Sequence, residues 1–226
     1  MSVFSETVDW FQDSSHWRGY YGVPHLVVQH LGYTAETVVI ASAVAIPMGL
    51  WIGHTGRFRG GAVAVTGAMR ALPTLGVLTW IVAFTGIGLT APIVALVILA
   101  IPPLLAGAYS GLESVDRKTI DAARAIGMTE RQILAKVEVP LALPLIVGGI
   151  RSATLQVVAT ATVAAFVSLG GLGRYLIDGL AVHDYPRMAA GSVLIIVIAL
   201  VLDGVFALLQ MFAVGERASI DSATRS

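Results

Sequence analysis

The sequence predicts an all-α integral membrane protein with about five transmembrane helices. Two observations carry this. Over 226 residues, 56% are hydrophobic and only 12% are charged, and the mean hydropathy of +0.82 lies outside the range of ordinary water-soluble domains. The apolar residues also collect into stretches long enough to cross about 30 Å of hydrocarbon, which takes roughly 20 residues in a helix.

Those stretches lie near 34–53, 63–85, 88–111, 145–169 and 188–212. The first 33 residues hold Trp10, Phe11, Trp17, Tyr20, Tyr21 and Tyr33 but no basic segment leading into an apolar core. They are expected to form an external, interfacial segment, not a cleaved signal peptide. Residues 34–212 then make one membrane domain, and 213–226 a cytoplasmic tail. Basic residues set the orientation. With five spans and the charged loop near 113–143 inside, Arg57, Arg59, Arg117, Lys118, Arg124, Arg131, Lys136, Arg217 and Arg225 face the cytoplasm, against Arg18, Arg174 and Arg187 outside. The N-terminus is expected outside and the C-terminus inside.

Residues 113–143 interrupt the apolar pattern. Asp116 can cap a short helix that carries Asp121 in its first turn, and Gly127 can end it in the left-handed conformation. Thr129 and Gln132 form a T-x-x-Q capping box for a second helix, in which Ile133, Leu134 and Val137 share a face. Pro140 is expected to end that helix, and Pro144 to sit in the first turn of the next. Ala122 and Ala123 leave a low surface. Five basic residues balance five acidic ones across 113–138, which suits a protein partner better than a nucleic acid.

This segment resembles the EAA loop of ABC-importer permeases. The matching residues are Asp121-Ala122-Ala123, Gly127 and Val139-Pro140-Leu141, with aspartate in place of the usual glutamate. The likeness continues through Leu72-Pro73-Thr74-Leu75, Gly86-Ile87-Gly88, Ile101-Pro102-Pro103-Leu104, Tyr109-Ser110-Gly111-Leu112, Gly149-Ile150-Arg151, Ala165-Phe166 and Gly170-Gly171-Leu172-Gly173. As a set these are similar to the osmoprotectant branch, which carries glycine betaine, carnitine, choline or proline betaine. Met69-Arg70 departs from that pattern, and the lining of the second span is expected to differ.

The resemblance implies a methionine-importer-like, type I ABC importer permease fold in the bacterial inner membrane. It implies two ABC ATPase subunits that hold ATP and magnesium, a second permease subunit (identical or related) and an extracytoplasmic substrate-binding protein. The chain itself would hold no cofactor, metal or catalytic residue. Asp121, Ala122, Ala123, Gly127, Glu130, Val139 and Pro140 would couple to the ATPase. Pro73, Thr74, Trp80, Tyr109 and Phe166 would line the substrate path, and Gly170, Gly171 and Gly173 would turn at an external gate.

Other features have local readings. Asp203 within span five needs a partner, and Arg151 or Arg70 can supply it, as a structural ion pair or as part of a proton or ion relay. Gly107-x-x-x-Gly111 and Gly148-Gly149 mark close helix crossings, within the subunit or at a dimer interface. His183-Asp184 reads as a solvated loop or an extracellular contact. The sequence contains no Gly-Lys dipeptide and hence no phosphate-binding loop, no H-E-x-x-H or G-x-S-x-G motif, and no cysteine. Three readings compete with an osmoprotectant permease: a permease of the same architecture for methionine or an oxyanion, a non-transporting scaffold for an ATPase, and an intramembrane enzyme.

Overall fold

The computed structural model describes residues 2–167 and 170–223, with side chains through 212 except that of Ala164. The side chain of Arg217 and the whole of Arg225, both assigned inside by the charge argument, lie outside the described residues. Every regular element among them is helical. In order these are α1 (Val3–Gln12), α2 (Val23–Thr55), α3 (Arg59–Arg70), α4 (Thr74–Thr85), α5 (Thr90–Glu113), α6 (Arg117–Ala125), α7 (Glu130–Ile133), α8 (Val139–Thr160), α9 (Gly173–Val182) and α10 (Tyr185–Ala223). Short 3-10 turns cover Ser14–Trp17 and Ala161–Val167, and a π turn covers Leu134–Glu138.

Four helical runs are long and apolar enough to cross a membrane: Val23–Thr55, Thr90–Glu113, Glu130–Val167 and Tyr185–Phe212. A fifth crossing exists only if α3 and α4 together make one broken span. The expected continuous span over 63–85 is therefore corrected. Pro73 forces Leu72 away from helical geometry, and the helix stops at Arg70 and restarts at Thr74. The first long helix starts at Val23, eleven residues ahead of its apolar stretch, and the last continues to Ala223, into the expected tail.

The chain packs as two compact units. One comprises the chain up to Val39, Leu72–Leu99 and Thr154–Leu202. Its main core gathers Trp10, Val23, Leu26, Val158, Leu172, Tyr175, Ala190 and Ile195. Trp10 is not spread over an outer surface: its indole stacks on His16 at 4.1 Å and meets the Tyr175 ring edge-on at 5.2 Å. The Tyr175 hydroxyl donates to the Tyr21 carbonyl at 2.8 Å. Buried His30 pairs through Nε2 with the Val158 carbonyl at 3.0 Å. His183 takes a left-handed conformation, and Asp184 accepts from the Arg187 N–H at 3.1 Å, which makes the pair a helix-start device.

The second unit comprises Ile40–Ala71, Ala100–Ala153 and the chain from Asp203. Here α5 and α8 touch backbone to backbone. A Cβ on Gly107 would lie 2.7 Å from the Gly149 Cα, and one on Gly149 would lie 2.9 Å from the Pro103 carbonyl oxygen. Gly111 meets Ala142 one turn along. The small-residue stripe is thus a crossing within the subunit, where close backbone approach supplies the attraction that lipid does not. Gly49 and Gly53 of α2 do the same against Ala108, Tyr109 and Leu112.

Candidate functional site

The charged segment 113–143 opens with two short helices joined by a glycine turn, each started by a polar cap. Asp116 accepts from the Lys118 N–H at 3.0 Å and starts α6. Asp121 is the fifth residue of α6, not part of its first turn, because the helix begins at Arg117. At the far end Gly127 takes φ +86°, and the Met128 N–H reaches back to the Ala123 carbonyl at 3.1 Å. The Thr129 hydroxyl accepts from the Gln132 N–H at 3.4 Å while the Gln132 side chain accepts from the Thr129 N–H at 2.8 Å, completing the capping box.

Pro140 does not end the second helix. From Glu130 to Val167 the chain is one helical run. A proline at 140 would ordinarily clash with the carbonyl four residues before it, but the turn ahead is widened: the Val139 N–H bonds to the Leu134 carbonyl, five residues back. Pro144 likewise lies inside α8, not in its first turn. The second half of the loop is therefore rigidly continuous with a membrane-length helix.

The exposed side of the segment presents Asp121, Ala122, Gly127 and Glu130, while Ala123 is buried and Val139 and Pro140 are half-buried. Ile126, 79% exposed, stands among these polar residues as an apolar contact point. Arg124 grips Glu130 with two bonds, at 2.8 and 3.1 Å, and reaches Asp121 at 3.4 Å. The Glu130 carboxylate stabilises the charged guanidinium and pushes its pKa upward.

Beneath this surface lies a centre that sequence reading missed. Glu138, at the end of the π turn, is only 3% exposed, and its carboxylate meets His54 Nδ1 at 2.5 Å. The other ring nitrogen of His54 faces Glu130 at 3.4 Å. Beside the pair opens a cavity of about 260 Å³, walled by the end of α2, the end of α5 and α6, and including Arg59, Glu113, Arg117 and Asp121. Arg59 and Glu113 form an ion pair on its rim. A signal for Glu138 was available, since a carboxylate beside Val137 and Val139 on a helix entering the membrane needs a partner.

The expected path residues fall in both units. Pro73 is exposed and Thr74 half-buried. Trp80 and Phe84, 69% and 76% exposed, meet edge-to-face at 5.2 Å, and Phe166 is also exposed. Tyr109, in the other unit, is half-buried. The glycines of the expected gate are tightly packed. Gly171, at φ +80°, donates its N–H to Gln29 at 3.0 Å, and a Cβ on Gly173 would lie 2.3 Å from the Thr162 carbonyl oxygen. Arg151 holds Asp203 through two bonds of 2.6 and 2.7 Å. Gln210 extends that cluster, accepting from Arg151 at 3.4 Å and donating to the Pro144 carbonyl at 3.1 Å. Arg70, the alternative partner, is exposed and forms no salt bridge among the described residues.

Comparison with known proteins identifies this architecture. Residues 45–211 match the family described as the binding-protein-dependent transport system inner membrane component. The chain is 31% identical, over 87% of its length and 88% of the relative, to the carnitine transport permease protein OpuCB of Listeria monocytogenes. It is 31% identical, over 80% of its length and 84% of the relative, to the glycine betaine/carnitine/choline transport system permease protein OpuCB of Bacillus subtilis. Its fold matches a chain of the MetNI methionine ABC transporter, solved in inward-facing conformations, with a TM-score of 0.72 at 23% identity, covering 82% of this chain and 93% of that one. The chain belongs to the binding-protein-dependent transport system inner-membrane components, and it is the permease component of an ABC importer.

Proposed function

We propose that the chain forms the translocation path for a small quaternary-ammonium osmoprotectant, of the glycine betaine, choline, carnitine or proline betaine class. The observation that carries this reading is the match, over most of both chains, to permeases of carnitine, choline and glycine betaine transport. Two copies, or this chain with a related permease, enclose the path. The N-terminus is outside and the C-terminus cytoplasmic, as the asymmetry of the basic residues favours.

A separate extracytoplasmic protein delivers the solute. Two ATPase subunits, which hold ATP and magnesium, grip the segment 113–143 from the cytoplasm. Asp121 pairs in the ATPase groove, Ala122 and Ala123 permit close approach, Gly127 holds the turn, and Glu130 braces Arg124. Val139 and Pro140 lie in the rigid run that carries the motion onward. ATP-driven closure of the ATPases moves this lever and opens the path outward; hydrolysis resets it. Trp80 and Phe166 offer ring faces to a passing cation through cation–π attraction, with Pro73, Thr74 and Tyr109 as further lining and Gly170, Gly171 and Gly173 shaping the outer turn.

The test is uptake of radiolabelled glycine betaine into proteoliposomes holding this chain, its ATPase and its binding protein, with choline and methionine as competitors. ATP-dependent uptake blocked by choline and not by methionine is the expected result. No ATP-dependent uptake of glycine betaine, with ATP-dependent uptake of radiolabelled methionine in the same proteoliposomes, would overturn the osmoprotectant assignment and leave the permease intact.

A further inference from the structure

We propose that His54 and Glu138 are positioning residues that latch the coupling segment to the C-terminal end of α2, so that the two move as one body when the ATPase pulls. The inference rests on the coupling role proposed for residues 113–143 and names the bond through which that role reaches a second helix.

A cavity of about 260 Å³ lies among the ends of α2, α5 and α6. What spans it is a chain of polar contacts. Asp121 and Glu130 hold Arg124, Glu130 faces His54 Nε2 at 3.4 Å, and His54 Nδ1 meets Glu138 at 2.5 Å. This chain ties α6, α7 and the π turn to the last turn of α2. The Nδ1 contact is a hydrogen bond to a carboxylate, the charge-assisted and stronger kind, while Glu130 stands at ion-pair distance from Nε2.

The cost of the arrangement points the same way. A buried carboxylate is expensive unless it is paired and hydrogen-bonded, and an apolar residue at 138 would fill the same space without that cost. The π turn, a departure from α-helical pairing that recurs at functional sites, ends at Glu138. Directional strength is what the pair adds. A hydrogen bond to a buried carboxylate resists both separation and sliding, whereas an apolar contact slides.

The absence of cysteine makes a direct test practical. Spin labels are placed at Met48→Cys on α2 and Ala125→Cys on α6, both exposed positions, and their separation is measured by pulsed electron resonance in the complete complex with the ATPase, nucleotide-free and trapped with ATP. In the parent chain the distance distribution is expected to be the same in both states. In His54→Gln and Glu138→Gln it is expected to match the parent without nucleotide and to shift on trapping, as α6 moves and α2 lags. The double variant should shift no further than either single one, as expected for two members of one contact. The exchanged pair His54→Glu with Glu138→His should restore the parent behaviour. A merely structural role predicts a distance already altered without nucleotide, and that result would overturn the latch, as would variants that do not shift on trapping. Failure of the parent chain to assemble with the ATPase would overturn the coupling role and the latch together.

Discussion

Gln156 donates its side-chain amide to the carbonyl of Leu99 at 3.0 Å. Leu99 is four residues before Pro103, and a proline has no N–H to return to that carbonyl. One side chain thus repairs the hydrogen bond that the helix loses, in a lipid environment that offers no water to do so. Replacing Gln156 by leucine leaves a buried carbonyl unpaired, at a cost of about 1–3 kcal/mol. The expected result is a lower unfolding temperature of the detergent-solubilised protein. Gln156→Glu, protonated and able to donate, should lose less than the leucine variant.

Gly107 and Gly149 bring the backbones of α5 and α8 into direct contact. A side chain at either meets backbone atoms, not the movable end of another side chain, and the helices must separate. Gly149→Val is expected to abolish accumulation of folded protein in the membrane, measured by the monodisperse fraction after detergent extraction. Gly67→Ala is the control. A Cβ there meets nothing within 4 Å, and the same measurement should stay at the parent level.

Local chemistry was legible where one residue type has one use. Gly127 after a polar helix and Thr129 with Gln132 specify a cap and a capping box, and all three sit as that chemistry requires. An intramembrane Asp203 demands a cation, and Arg151 answers it. Proline misled in both directions. Pro73 breaks a span that its apolar composition joins, while Pro140 and Pro144 sit inside a helix that they were expected to end and begin. At Pro140 a π turn just ahead absorbs the defect, and that turn is not written in the local sequence. The identity of the partner of Glu138 was out of reach for another reason: His54 lies 84 positions away, and no periodicity joins the two.

Arg151 and Asp203 are an ion pair within membrane-length helices, and removing one partner leaves the other charge exposed to a low dielectric. Asp203→Leu, which strands the Arg151 guanidinium without its partner, is expected to destabilise the folded chain. The double variant Arg151→Met, Asp203→Leu should recover most of that loss. Thermal unfolding in detergent reads both. Asp203→Asn separates structure from ion relay: a structural pair predicts glycine betaine uptake close to the parent rate, and loss of uptake in a stably folded Asp203→Asn chain would favour the relay.

Gly127 offers a cleaner probe of coupling than any charged residue of the segment. Its φ of +86° lies where a β-branched residue is strained by roughly 1–2 kcal/mol, yet nothing stands within 4 Å of the position a Cβ would occupy. A side chain is therefore resisted by the backbone alone and not by packing. Gly127→Asn, which tolerates the left-handed region, should preserve both ATP hydrolysis and uptake. Gly127→Val should relax the turn between α6 and α7, misalign Asp121 and Ala122 with respect to Glu130, and leave hydrolysis that no longer drives uptake. The two rates are measured together in proteoliposomes, and the ratio of solute carried to ATP consumed is the quantity expected to fall. A valine variant that keeps the parent ratio would show that the turn is not what aligns the segment with the ATPase.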